Sequence, residues 1–455
     1  FFMKQLCSII CFLLLTVSTK AQVNLQTGSA TFSLPMFNWQ DDKSRLHSIV
    51  ALSYNSGSGL RVNDVASNAG QGWNLIMGGE ITRIQAGEPD DQVAHGLASE
   101  TDIKKYPSGI LYATVPAANG CPTALTKYPI YGWKNQLYAQ HNVIAEDRQL
   151  DYFSFQFNGI AGLFVLDPND PSKSGKSLGD SKLKINFQED PNLQNQGIRT
   201  RITSFTIQDE NGLIYKFAKH GLTKVLKQSY CDESFNYKQT QPKFKNGKVY
   251  YQAGFEDASL VNPWIINNWY LTEIEDALTH RKVFFNYVTR NVNTWAGQDI
   301  SYNLTSGSGP DKNYGIVSWR KSITQSPEIA SITYPDGHSV TVNYGNSRYD
   351  LIGEYAIASI DIKYQSRFLS KYILNTAYFI RNRMGNPVSD YEKRMARICL
   401  LSVQKIGIDL KEESPPYFFD YYTGSSADDD FVPPPFSYAK DIWGFYNGDY
   451  TKGYW

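Results

Sequence analysis

The chain has 455 residues, with 44 Lys plus Arg against 44 Asp plus Glu, so its formal net charge is zero. That balance excludes the electrostatic footprint of a nucleic-acid binder and gives no pull toward an anionic membrane surface or an acidic substrate. Aromatic residues make up 14 %, led by 31 Tyr and 24 Phe against 5 Met, a bias that suits half-buried pleated surfaces better than helices.

Met3, Lys4 and Gln5 lead into an apolar run over 7–17, followed by Ser18, Thr19, Lys20 and Ala21. The run is about half of the roughly 20 residues that a membrane-crossing helix requires. Small residues at 19 and 21 suit cleavage before Gln22. Residues 1–21 are therefore predicted to be a signal peptide, and the mature chain is expected to be secreted, extracellular or displayed on the outer cell surface, with no membrane-spanning segment. Phe1 and Phe2 stand ahead of Met3, so the sequence is read as a translated fragment that begins before its initiator. Cys7 and Cys11 leave with the signal peptide, and Cys121, Cys231 and Cys399 remain in separate contexts. No disulfide framework follows, and the odd count predicts at least one free thiol unless an intermolecular bridge forms.

Period-two alternation closed by turn dipeptides recurs through the mature chain, as one-face-packed strands require. Phe32, Leu34 and Met36 oppose Thr31 and Ser33, and Val50, Leu52 and Tyr54 follow as a second strand. Further on, Val340, Val342 and Tyr344 oppose Ser339, Thr341 and Asn343, while Ile360, Ile362 and Tyr364 oppose Ser359, Asp361 and Lys363. Asn158-Gly159, Asn211-Gly212, Asn246-Gly247 and Asp336-Gly337 are predicted hairpin turns with positive φ at both positions. Four loosely similar units, 151–167, 202–218, 269–287 and 327–344, each read as strand, polar turn and strand. Longer polar inserts are expected near 168–200, 219–262 and 288–325, and a Pro-rich acidic loop near 414–435. The one helical candidate is short, at 389–398. The fold class is all-β: successive antiparallel hairpins forming a winding or curled sheet with long loop insertions.

The search for chemistry is negative. His47, His95, His141, His220, His280 and His338 stand alone, without the paired spacing of a zinc helix. Gly175, Lys176 and Ser177 end like a phosphate loop, but Asp170 occupies its first glycine position; Gly70 and Gly72 open a dinucleotide pattern in which Leu75 replaces the third glycine. Asn169 and Asp170 lack the glycine and terminal Glu of a calcium loop. A glycosidase needs two carboxylates paired in space, and no pair is selected by sequence. Trp73, Trp133, Trp264, Trp269 and Trp443 suit cross-strand packing before sugar stacking. No catalytic residue, metal site or cofactor is predicted.

The segments LQTGSATFSLPMF (25–37), ALSYNSGSGLRVNDVASNAGQGWNLIMGGEITR (51–83) and GEPDD (87–91) resemble the start of secreted bacterial Rhs/YD-repeat proteins. The resemblance rests on Ser53, Tyr54 and Asn55, on Gly70, Gly72 and Trp73 of a Gly-x-Gly-Trp block, and on Ile81, Thr82 and Arg83. It continues through DENGLIYKF (209–217), WYLTEIED (269–276), ITYPDG (332–337) and PPYFFDY (415–421), and ends in FSYAKDIWGFYNG (436–448), which holds Trp443 and Gly444. A related arrangement opens the B component of bacterial toxin complexes, whose Rhs sheet is a hollow shell. The resemblance implies a signal peptide at 1–21, an N-terminal β domain at 22–145 and a YD-like hairpin region at 146–455 leading toward an Rhs core.

Gly70, Gly72, Gly78 and Gly79 are expected to permit tight turns or bulges around Trp73, whose ring would anchor the first hairpin, with Thr82 and Arg83 closing the edge of their strand. The function expected is that of a non-enzymatic shell or scaffold segment of an exported polymorphic toxin or cell-surface effector. Its partners would be its own C-terminal Rhs core and toxin region. The rival expectation is a secreted module that binds glycans or a cell envelope. Exposed sheet edges are expected to favour association.

Overall fold

The computed structural model describes residues 22–23, 29–57, 60–92, 109–112, 149–168, 170, 172–179, 182–232, 264–303, 314–380, 383–421, 432–433, 437 and 439–448. The predicted signal peptide up to residue 21, the boundary at 145/146 and the Asn246-Gly247 turn lie outside them.

β1 (Gln22–Val23), β2 (Ala30–Gln40), β3 (His47–Asn55) and β4 (Trp73–Ile76) form a four-stranded antiparallel sheet in that order. Leu34 and Met36 on β2 and Val50 and Leu52 on β3 are buried, as the alternation predicts.

The next eight strands close on themselves. β5 (Gly79–Ile84), β6 (Tyr152–Phe157), β7 (Ile160–Leu166), β8 (Ser174–Ser177), β9 (Lys184–Glu189), β10 (Ile202–Gln208), β11 (Leu213–Asp232) and β12 (Ile265–Asp276) each pair antiparallel with the next, and β12 returns to β5 through Asn268↔Thr82 and Tyr270↔Glu80. The result is an eight-stranded barrel, a size at which inward side chains fill the interior. They do so with rings: Phe153 stacks on Phe164 at 5.0 Å, Trp269 meets Phe205 edge-on at 4.8 Å, and Phe157 lies 4.4 Å from Tyr215. All six are essentially without solvent exposure. Because β5 sits between β6 and β12, Thr82 and Arg83 do not close an edge; the pairing that removes the edge comes from β12, far along the chain.

β12 then hands the sheet on, pairing through Glu273, Ile274 and Glu275 with β13 (Lys282–Asn303). β14 (Tyr314–Thr333), β15 (His338–Ser347), β16 (Tyr355–Tyr364), β17 (Arg367–Ile380), β19 (Arg397–Ile406) and β20 (Tyr417–Phe418) follow in order, with β18 (Arg383–Gly385) beside β17. The four-stranded sheet covers this part as the second layer of a sandwich: Trp39 and Tyr334 have ring centroids 4.5 Å apart, and Val340, Ile360, Leu400 and Val403 join Leu34, Val50 and Leu52 in one core.

All four repeated units are hairpins. Of the three predicted turns among the described residues, Asn158-Gly159 alone has positive φ at both positions, 46° and 82°. At Asn211-Gly212 and Asp336-Gly337 only the glycine does. There Gly212 N donates to Asp209 O and Gly337 N to Tyr334 O, so a three-residue turn with a bulge replaces the expected two-residue turn. Gln365 and Ser366 make a two-residue turn at φ 46° and 68° without glycine. The polar inserts are a further correction: β8, β9 and the long arms of β11, β13 and β14 run through them, with β11 Leu222 to Asp232 pairing β14. Backbone pairing sustains these arms where the side chains give no clear apolar alternation. The predicted helix is α1 (Asp390–Met395), capped by Ser389, whose hydroxyl accepts from Glu392 N. Among the described residues no helix is long and apolar enough to cross a membrane.

Candidate functional site

The Gly-x-Gly-Trp block lies where the first sheet meets the end of the second. Tyr54 pairs with Trp73 in register across β3 and β4, ring centroids 5.1 Å apart. Trp73 is 2 % exposed, packs 4.4 Å from Phe419 and donates Nε1 to the Tyr421 hydroxyl at 3.0 Å. Gln71 N donates to Ile398 O at 2.9 Å and Asn55 N to Gly72 O at 2.9 Å. Gly70 has φ 129°, and a Cβ there would stand 2.8 Å from Leu400 N. A side chain at 70 would therefore push the block off β19. Ser53 faces Ser33 and Asn74 in neighbouring strands, and Asn55 Oδ1 takes Gly57 N at 2.8 Å. The segment at 440–447 returns to the same region: Val62 N donates to Gly444 O at 2.9 Å and Tyr446 N to Leu60 O at 2.8 Å. The Trp443 ring points away, 70 % exposed. Tyr54, Gly70, Gly72 and Trp73 thus converge, with Gly444 near them, whereas Ile81, Thr82 and Arg83 stand apart in the barrel.

Ile81 is fully buried there, and Thr82 Oγ1 accepts from Asn268 Nδ2 at 2.9 Å. Arg83 ends β5 beneath three carboxylates. Its Nη2 lies 2.7 Å from Asp91 Oδ1 and its Nη1 3.1 Å from Asp151 Oδ2, with no side-chain exposure on any of the three. The guanidinium carbon also stands 5.4 Å from the Phe153 and the Trp269 ring centroids, so the charge rests on the barrel's aromatic filling. Asp91 Oδ2 accepts from Arg201 N at 2.8 Å and Ile202 N at 2.6 Å, and Asp90 and Asp151 exchange backbone amides with each other's carboxylates at 3.0 and 2.9 Å. Burial, then repulsion from Asp151, pushes Asp90 up to about 7. Burial also raises Asp151, against the pull of Arg83.

A second carboxylate group lies where barrel and sandwich meet. Asn68 donates Nδ2 to Glu328 Oε2 and to Glu354 Oε2, 3.1 Å each, while Arg348 holds Asn68 Oδ1 at 2.7 Å. Burial, then the charge of Glu354 and a hydrogen bond between the two carboxyls, raises Glu328. Carboxyls that hydrogen-bond each other share a proton. They also leave no room for a sugar ring between them, unlike the separated pair of a glycosidase.

An open cleft of about 610 Å³ lies at one end of the sandwich, lined by Asp42, Lys43, Arg281, Pro335, Asp336, His338, Tyr364 and Leu369. Asp336 Oδ2 accepts from Trp39 Nε1 and lies beside His338 Nδ1, 2.7 Å from each. Burial opposes the shift, but these bonds hold Asp336 below the ordinary carboxylate range. Sequence reading missed a Gly-x-Ser-x-Gly spacing at Gly175, Ser177 and Gly179. Ser177 ends a barrel strand and the next element among the described residues is the strand β9, not the helix that a nucleophile elbow requires. Among the described residues no group of three or more His, Cys, Asp or Glu is arranged to hold a metal ion.

No protein-family model matches the chain, and no curated protein matches its sequence. Among solved structures it is similar to the N-terminal domain of the effector protein SpvB from Salmonella typhimurium strain LT2, at 10 % identity and a TM-score of 0.33, over 83 % of this chain and 98 % of that one.

Proposed function

We propose that the chain is a non-catalytic scaffold segment of an exported Rhs/YD-repeat protein, serving to enclose or display a C-terminal effector. The supporting observation is the barrel's solid interior: Phe153, Phe157, Phe164, Phe205, Tyr215 and Trp269 fill the lumen where a ligand would otherwise sit. Such a barrel serves as a rigid body, and the Rhs-like segments 25–37, 51–83 and 436–448 give that body its context. Export is proposed from the apolar run at 7–17. Two measurements test the reading. Sequencing the gene past the Trp455 codon should reveal an open frame continuing through YD repeats, and N-terminal sequencing of the exported protein should begin at Gln22. A stop codon directly after Trp455 would defeat the scaffold reading.

The second reading, a glycan-binding or envelope-binding module, is favoured by the cleft that Tyr364 and His338 line, their ring centroids 4.7 Å apart. A glycan array without hits removes its support.

A further inference from the structure

We infer that segment 86–92 is a proton-held clasp over the mouth of the barrel, closed while Asp90 carries a proton and loosened when Asp90 ionises. The geometry counts charges. Three carboxylates, on Asp90, Asp91 and Asp151, surround a single guanidinium, and Arg83 spends both terminal nitrogens on Asp91 and Asp151. Asp90 has no exposed surface, and its Oδ2 has no hydrogen-bond partner among the described residues. An ionised Asp90 so placed would share one guanidinium with two other carboxylates and be repelled by Asp151, and a buried charge so weakly offset is strongly disfavoured. A proton on Asp90 removes that charge while its Oδ1 keeps the amide of Asp151.

Two further cations near the mouth, Arg201 and Lys173, are engaged elsewhere. Arg201 lies over the Tyr112 ring, 4.9 Å from its centroid, and Tyr112 donates its hydroxyl to Glu189. Lys173 in turn pairs with Glu189 at 2.5 Å.

The clasp is knitted to its neighbours by backbone. Asp90 N donates to Asp151 Oδ2, Leu111 N to Asp90 O at 3.1 Å, and Gly109 N to Gln92 O at 2.8 Å. A Cβ on Gly109 would stand 2.0 Å from Pro89 O. Loosening 86–92 therefore releases 109–112 with it.

The direction of the effect follows from linkage. A carboxyl raised to about 7 in the closed state, and ordinary when open, stabilises closure fully below its open-state value and loses that contribution as pH rises through about 7. Between pH 6 and 8.5 the clasp should come to open about ten-fold more often, the change levelling off once Asp90 is ionised in both states.

Hydrogen exchange read by mass spectrometry on the whole mature chain tests this independently of the scaffold reading. After correction for intrinsic exchange, peptides over 86–92 and 109–112 should lose on the order of ten-fold in protection between pH 6 and 8.5, while β6 and β12 keep theirs. Asp90→Asn, a neutral side chain of the same shape, should retain protection at pH 8.5. The infrared carbonyl band of a protonated carboxylic acid at pH 6 should weaken in the same variant. Protection of 86–92 that is unchanged between the two pH values, or an acid band that survives Asp90→Asn undiminished, overturns the inference.

Discussion

Trp73 donates its indole N–H to the Tyr421 hydroxyl at 3.0 Å, joining positions 348 residues apart in the chain. Tyr421 passes the bond on to Leu400 O at 2.8 Å, so a single hydroxyl ties the N-terminal block to β19. Removing that hydroxyl leaves a buried indole donor and a backbone carbonyl short of a partner. Tyr421→Phe should cost about 1–3 kcal/mol, and Trp73→Ala about 3–5 kcal/mol through the void left against Phe32, Tyr54 and Phe419. Urea unfolding of both single variants and the double variant checks the pairing: the two costs should add to more than the double variant loses. Strict additivity would mean that the bond carries no coupling.

Gly70 presses its backbone against β19 at a φ of 129°. An alanine there meets Leu400 N and the Cys399 backbone, neither of which can rotate aside. Gly70→Ala should destabilise by about 1–3 kcal/mol or more, whereas Gly159→Ala, with nothing within 4 Å of its Cβ, should suffer only the strain of its turn. Thermal melts of the two variants side by side should rank them in that order.

How much of this was legible before the structure depends on the range of the contact. Val340 and Val342 revealed their strand because one face packs and the other does not, and the Asn158-Gly159 turn is written into two adjacent residues. Barrel closure is not. It requires Asn268 to meet Thr82 across 186 positions, and period-two patterning says nothing about which strand lies beside which. Arg83 was singled out by a motif, yet its role appears only when Asp91 and Asp151 stand around it. Glu328 and Glu354 gave no sequence signal, since their pairing depends on Asn68 in a distant loop. Trp443 matched the motif but leaves its ring in solvent, so the local pattern there did not specify packing.

Cys399 is free and fully buried in β19. Burial pushes its thiol up to about 12, so the thiolate needed for disulfide exchange is scarce at neutral pH. The folded protein should therefore leave Cys399 unmodified by a thiol-specific disulfide reagent, and denaturant should expose it. Rapid labelling of Cys399 without denaturant, mapped by peptide mass, would show that β19 opens locally.

The Glu328 and Glu354 carboxyls, linked through Asn68, make the sandwich junction sensitive to pH in a defined direction. Glu328 is raised by burial and by its neighbour to about 7. Its protonation therefore stabilises the fold fully below the ordinary carboxyl value, and the benefit is lost as pH rises through about 7. Opposing this, hydrogen bonds from His280 and Lys282 outweigh burial and hold Glu275 near 2, a contribution present above the ordinary carboxyl value and lost as pH falls toward 2. Stability should thus peak in mildly acidic solution and decline on either side. Glu328→Gln removes one acid from the pair and with it the alkaline decline that the pair causes, on the order of 1–3 kcal/mol between pH 5 and 8.5. Denaturation midpoints of the native chain and Glu328→Gln should lie closest in acid and diverge as pH rises through about 7, the native chain falling below the variant. Parallel curves across the whole range would show that the two carboxyls titrate without sensing each other or the fold.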